Sequence, residues 1–445
     1  MAQMTDVTNM DQAMKILFTD PIVENVVTDT ELLSAFQVDN NVQYEKSTGG
    51  RYIETAQYFQ LPAGVGFRAS NEYIPVPNGP VIDNSRIFLK KAQGVVEMTG
   101  DVMGRVRGDL GAYVDWMERA LPDLVTRLNN TIDRVLLGYG NGAKARVNQA
   151  VPTVSMPIDT AFGASIGGTA LTNAILQFLE GERIVFSANA NGNPLRNPGA
   201  TQSSVVTGIN YGTSTLTLDA IPAATADNDY IFDGDVAGVS AQASGVDREA
   251  MGLLGMVDDG TILATFQNLS RATYRLWNCT AVDAANAALF NATGLGALTE
   301  DVLMYADQQN MIQGGGKVDL IVTSYDGIRS YVRSLRAARN INDPRQWTGG
   351  TMGSSIMLGD REINLKAARK MPPELCFGLQ RSTFKRWELE GYQWDDKTGA
   401  IWNRVTDASG RKDAFFAVGN WYFQTGCLAP AKNFRVHKIN PAANR

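Results

Sequence analysis

The chain has almost no histidine: His437 alone among 445 residues. That scarcity excludes zinc sites built on histidine and leaves no nucleophile–base pair beyond what His437 itself supplies. A single histidine on an expected strand, without a matching nucleophile, reads as structural and not as a base. Cysteine is nearly as rare. Cys279, Cys376 and Cys427 are odd in number, far apart and without C-x-x-C spacing, so they read as buried reduced thiols, not a disulfide framework. Long apolar runs are missing as well. The longest uncharged stretch, Ala161 to Leu179, is interrupted by Ser, Thr, Asn, Gln and Gly and is too polar for a membrane span. The opening MAQMTDVTNMDQAMK has neither a basic region nor an apolar one, so no secretion signal is expected. Excess positive charge is absent too: 40 Lys and Arg stand against 46 Asp and Glu, net −6, which disfavours tight sequence-independent binding to nucleic acid.

Motifs that imitate ligand sites fail on context. GYGNG (138–142) follows a helix instead of opening one after a strand, and GGGK (314–317) lacks P-loop spacing. The pairs Asp258–Asp259 and Asp395–Asp396 lack the alternating oxygen ligands of a calcium loop, and solvated turns are expected there. The tripeptide RGD at 107–109 marks a helix start. No catalytic residue, metal or cofactor is expected.

What is present is organised for assembly. GRYIETAQYFQ (50–60) and SRIFLKKAQGVVEM (85–98) interleave aromatic and β-branched residues with polar ones, which predicts two strands of a ribbon. Between them Pro62, Pro75, Pro77 and Pro80, with Gly64, Gly66 and Gly79, predict a loop. An isolated two-stranded ribbon is marginal in water. Its aromatics (Tyr52, Tyr58, Phe59, Phe67, Tyr73 and Phe88) therefore need a surface: another subunit's, or the chain's own core. Lys90 and Lys91, at the foot of the ribbon, read as intersubunit contacts or as edge-strand lysines that discourage stray pairing.

Next comes one amphipathic helix. Leu110, Tyr113, Val114, Met117, Leu121, Leu124, Val125, Leu128, Ile132, Val135 and Leu136 recur on one 3.6-residue stripe. Asp133 and Arg134 fall on the opposite, polar side, Asp109 is the expected N-cap, and Pro122 predicts a kink or restart. At ~1.5 Å per residue such a helix approaches 40 Å.

Elsewhere, residues 1–45 read as a thinly structured arm with a short helix around Met10–Phe18. Strands are expected at 183–188, 203–209, 214–221 and 229–232, in a Gly-, Ser- and Thr-rich stretch that reads as a small all-β insertion. Residues 299–313 read as helix, 318–323 as strand, and Tyr325 to Arg339 as a helix capped by Ser324. Strands return at 415–424 and 434–439, and the whole is α+β. Arg329, Arg333, Arg336 and Arg339 share one helix face. They form either a stripe that meets an acidic neighbour or packaged nucleic acid, or a solvated face suited to the helix dipole.

The order of these parts resembles the major capsid proteins of tailed bacteriophages, which have the Hong Kong 97 fold. The stretches that carry it are KKAQGVVEMTGDVMGRVRGDLGAYVDWMERALPDLVTRLNNTIDRVLLGYGNG (90–142) and VDLIVTSYDGIRSYVRSLRAARN (318–340). The resemblance covers nearly the whole chain as a pattern and rests on order, not on any one motif. It implies an N-terminal arm at 1–45, an extended loop at 46–98 lying over a neighbouring subunit, and a peripheral domain with a spine helix at 99–150. A β-rich insertion (151–245), an axial domain with returning peripheral segments (246–410) and C-terminal peripheral strands (411–445) would follow. It implies hexamers and pentamers in an icosahedral shell around double-stranded DNA, a virion location after synthesis in the bacterial cytoplasm, and a portal and possibly a decoration or cement protein as partners. Too little sequence precedes the arm for a built-in scaffold, so a separate scaffolding protein is expected, and no pattern selects a lysine for crosslinking. Two alternatives stay open: the shell of a cellular nanocompartment or gene-transfer-like particle, and, more distantly, a soluble α/β enzyme.

Overall fold

A computed structural model describes residues 32, 37–39, 52–73, 75–76, 78–101, 110–196, 203–234, 248–292, 294–338, 355–358, 361–396, 401–407 and 410–440. The expected helix at Met10–Phe18, Asp109, the RGD tripeptide and Arg339 lie outside them. The first elements are β1 (Gln37–Asp39), β2 (Ile53–Gln60), β3 (Val81–Ile87), β4 (Lys90–Thr99) and α1 (Leu110–Leu137). Six strands follow or flank short turns: β5 (Ala143–Val147), β6 (Ser155–Asp159), β7 (Arg183–Ser187), β8 (Ser203–Asn210), β9 (Thr215–Leu218) and β10 (Tyr230–Asp233). Then come β11 (Thr280–Asp283), α2 (Glu300–Gly314), β12 (Leu320–Thr323), α3 (Tyr325–Ala338), β13 (Ser355–Leu358) and β14 (Arg361–Ala367). The last are β15 (Cys376–Leu379), β16 (Phe384–Trp394), β17 (Asn403–Asp407), β18 (Gly410–Cys427) and β19 (Phe434–His437).

These strands make three main bodies. A mixed six-stranded sheet runs β11-β19-β15-β12-β14-β13. Both of its faces are covered, which explains the uninterrupted apolar run of β12: Leu320 and Val322 join one core, Ile321 the other beneath α2 and α3. A second sheet runs β1-β16-β18-β17, with β4 on the free side of β18. The third body is a closed antiparallel barrel, β8-β9-β6-β5-β10-β7. Its strands at 183–187, 203–210, 215–218 and 230–233 match the expected ones, while β5 and β6 were not anticipated. Pro157 in β6 argues against a strand, and β5 reads as polar because it carries Lys144 and Arg146, although Lys144 is fully buried.

The ribbon differs from expectation. Residues 85–98 are not one strand: β3 pairs back on β2, whereas β4 pairs with Ala414–Phe423 of β18 over ten residues. Two different partners require a break between them, and it falls at Phe88–Leu89. Helix α1 crosses β4 at Gly94, where a Cβ would meet the Leu124 side chain at 3.1 Å. The helix does not end at Pro122: one lost backbone bond is outweighed by burial further along. Its last turns are buried all round, against the expectation of a polar side. Asp133 accepts a bond from the Leu32 amide at 3.3 Å, and Arg134, only 2% exposed, faces acids of the barrel region. The helix exits through the LLGYGNG turn, where Gly140 and Gly142 both take φ +81°, a conformation that costs other residues energy.

Candidate assembly surfaces

The hairpin β2–β3 alternates half-buried and exposed residues along β2, the period of two of a strand with one face covered. That alternation separates neighbours the sequence grouped together. Phe59 turns inward, stacked on Tyr274 with centroids 4.0 Å apart and edge-on to Trp277 at 5.8 Å. Tyr58 turns outward. The strands are strapped to their own chain along their length: the Arg86 amide donates to the Gln267 carbonyl at 2.9 Å and the Tyr274 hydroxyl to Asp83 at 2.8 Å. Tyr52 packs against Phe88, with the Arg86 guanidinium 5.0 Å above its ring. Phe59 and part of Tyr52 are thus satisfied within the chain, which answers half of the question about where the aromatics go.

The tip is another matter. Ala63 and Asn78 exchange two backbone hydrogen bonds of 3.1 Å, adding one more pair to the ribbon. Beyond them the chain has no core. Phe67 and Tyr73 are fully exposed, and Leu61, Val65 and Val76 at least three-quarters so. Among the described residues these large apolar side chains are all exposed on one projection, the kind of surface that monomeric proteins seldom leave bare.

Lys90 and Lys91 begin β4, opposite Phe423 and Tyr422 of β18. Lys91 is exposed, with its ammonium 5.4 Å from the Tyr422 ring. The arginine stripe is seen in part: Arg329 and Arg333 are exposed on α3. Ser324 caps that helix, accepting from the Gly327 amide at 3.0 Å.

Interior polar groups bind the bodies together. Lys144 is fully buried on β5 and reaches Asp233 at 2.5 Å and Glu182 at 2.8 Å. Arg134 of α1 meets Asp233 at 3.2 Å and Glu249 at 2.5 Å. Burial alone would raise the Asp233 carboxyl, but Lys144 and Arg134 outweigh it and hold it low. The pair expected to be a solvated turn is split: Asp258 is buried and Asp259 stays exposed, yet both bind the buried Arg435 guanidinium, at 2.8 and 2.9 Å. Burial pushes Asp259 up, yet Arg435 and hydrogen bonds from Thr261 bring it to about 2. The sequence offered no signal for this, because Arg435 lies in another strand far along the chain. The three cysteines are buried and unpaired, and burial pushes Cys279 and Cys376 up to about 12 and Cys427 to about 11. His437 is half-buried, and burial, with Arg435 nearby, lowers its pKa. Among the described residues no three metal-binding side chains cluster, and no helix is long and apolar enough to cross a membrane.

Comparison with family models and with curated protein sequences finds no match. Solved structures do match. A chain of the cyanophage A-1(L) capsid asymmetric unit aligns over 97% of this chain and 99% of its own, with TM-score 0.51 and 11% identity. The capsid of the native GTA particle covers 98% and 99% at TM-score 0.45 and 9% identity. The capsid of Myoviridae phage XM1 covers 96% and 97% at 0.44 and 8%. The first of these shows that the chain has the fold of a phage capsid protein.

Proposed function

We propose that this chain is the major capsid protein of a tailed double-stranded DNA bacteriophage, assembling as hexamers and pentamers into an icosahedral shell around the genome. The hairpin tip carries the reading: apolar side chains projected on a ribbon, with no core of their own, are completed by the next subunit. The likeness in fold to the cyanophage chain along the full length supports it. In this reading α1 is the spine of a peripheral domain that includes the β4–β18 sheet, and the six-stranded sheet with α2 and α3 is the axial domain. The barrel is an insertion that braces the capsomer. A separate scaffolding protein, a portal and a decoration or cement protein are its partners, and DNA is enclosed without sequence recognition. The protein is made in the host cytoplasm and ends in the virion.

The test is electron microscopy and sedimentation of the chain expressed with its scaffolding partner. Closed icosahedral shells are expected, and Phe67→Ser with Tyr73→Ser should abolish them while the monomer keeps its melting temperature. A wild-type protein that stays monomeric, or double-variant shells indistinguishable from wild type, overturns the reading.

A further inference from the structure

Helix α2 has two apolar sides where a surface helix ordinarily has one. Its inner side is fixed: Val302, Leu303 and Ala306 are buried under the six-stranded sheet's core, and Asp307 is paired with Arg361. Its outer side nevertheless exposes Met304, Met311 and Ile312, the last at 69%, behind an acidic first turn of Glu300 and Asp301. Helix α3, on the same face of that sheet, presents the opposite pattern. Tyr325 is 60% exposed at its start, and Arg329 and Arg333 follow at steps of four on one line. Glu300, Asp301, Arg329 and Arg333 form no ion pair with any described residue.

The two faces match when laid antiparallel. The acids of α2 then stand against Arg333, Met304 lies beside the Arg329 stem, and Met311 and Ile312 meet the ring of Tyr325. At ~1.5 Å per residue the α2 face from Glu300 to Ile312 is about 18 Å long. The α3 face from Tyr325 through Arg333 is about 12 Å. The α3 face therefore spans about two-thirds of the α2 face. Two signs of charge in complementary order, each beside exposed apolar groups, describe an interface with the same kind of molecule. They do not describe a nucleic-acid surface, which would have no use for Glu300 and Asp301.

We propose that the α2 outer face of one copy docks on the α3 face of a second copy of this chain, a contact separate from the hairpin tip. This deepens the shell reading, on which it rests, by naming a second surface through which copies join. The charges set orientation and partner choice, and the methionines, which adapt to irregular surfaces, supply buried apolar area.

Charge reversal on the full-length protein tests it. Glu300→Lys with Asp301→Lys, and separately Arg329→Glu with Arg333→Glu, should each raise the concentration for half-assembly by about tenfold or more. A chain with both reversals restores complementarity and should assemble near the wild-type concentration. Melting temperatures close to wild type confirm that all three fold. Met304→Ser with Ile312→Ser gives a second, charge-free variant, which should also weaken assembly. If single reversals assemble like wild type, or the combined chain is no better than either, the inference fails while shells still form and the shell reading stands. If only the arginine reversal matters, and what it loses is binding of double-stranded DNA, then α3 meets nucleic acid and the inference also fails. A wild-type chain that never self-associates sinks both.

Discussion

The barrel and the hairpin are both made of short antiparallel strands, yet they solve the problem of apolar surface in opposite ways. The barrel closes its edges, and Met156, Ile158, Phe186, Val206, Leu216 and Ile231 fill it with essentially no exposure. Even its charges are neutralised internally, with Lys144 held between Glu182 and Asp233. The hairpin leaves its tip apolar and bare, and only its strands are strapped down, through Phe59, Asp83 and Arg86. The first is a finished object. The second, in the function proposed above, is half of a contact. Stability should therefore be concentrated in the barrel and assembly in the hairpin, and that division can be broken experimentally.

The largest effect is expected inside the barrel. Phe186→Ala removes a fully buried ring and should cost ~3–5 kcal/mol, read as a lower denaturant midpoint in the unassembled protein. Lys144→Ala comes next: it takes the cation from the mostly buried Glu182 and leaves Asp233 with Arg134 alone, and should cost about 3 kcal/mol, with part of the loss recovered by also replacing Glu182 with Gln. Between the two regions, Gly94→Val puts side-chain atoms into Leu124 where α1 crosses β4, at a cost of ~1–3 kcal/mol from overpacking. At the hairpin the sign of the comparison reverses. Phe67→Ser or Tyr73→Ser should change monomer stability by no more than ~0.5 kcal/mol, since neither side chain touches a core. If either lowers the melting point as far as Gly94→Val does, the division is wrong.

The smallest effect is a pH dependence, and it too should fall on one side only. Burial lowers the pKa of His437, whose ring lies against Gly167, between β6 and β7. The unfolded chain, titrating near the ordinary value of ~6.5, takes up a proton that the folded one refuses. Stability contributed by His437 is thus full above about pH 7 and declines as pH falls toward 5. His437→Gln should flatten that slope in thermal melts, and a slope unchanged by the substitution would rule the group out as its source. The hairpin contains no histidine and should show no counterpart in this window.

Much of this architecture was legible because it obeys a period. The four strands between 183 and 233, the helix from Leu110 and the helix capped by Ser324 follow from alternation, stripes and caps. What stayed hidden depends on partners remote in sequence. Lys144 in β5, Asp258, Asp259, Asp133 and Arg134 all look like surface residues until partners remote in sequence arrive: counter-charges for four of them and the Leu32 amide for Asp133. The ribbon was misread for the same reason, since nothing local at Phe88 announces that β3 and β4 belong to different sheets. Among the candidate contacts, strand alternation separates Phe59 from Tyr58 once the covered face is known. Phe67 and Tyr73 stand exposed in the loop that the prolines and glycines predicted.

The pairing of β4 with β18 has a consequence for timing. Lys90 lies opposite Phe423, and Thr99 opposite Ala414, so more than three hundred residues separate the two sides of one ladder. Pairings this distant form late and slowly, because the intervening chain must be ordered first. On the ribosome, β4 has no partner until residues 414–423 have emerged, long after the segment around Gln267 and Tyr274 that straps the hairpin. The two sheets that flank Phe88–Leu89 are therefore completed at different times, the hairpin's support first and the β4 ladder last. The junction between hairpin and β4 thus joins a contact made early in synthesis to one that needs almost the whole polypeptide.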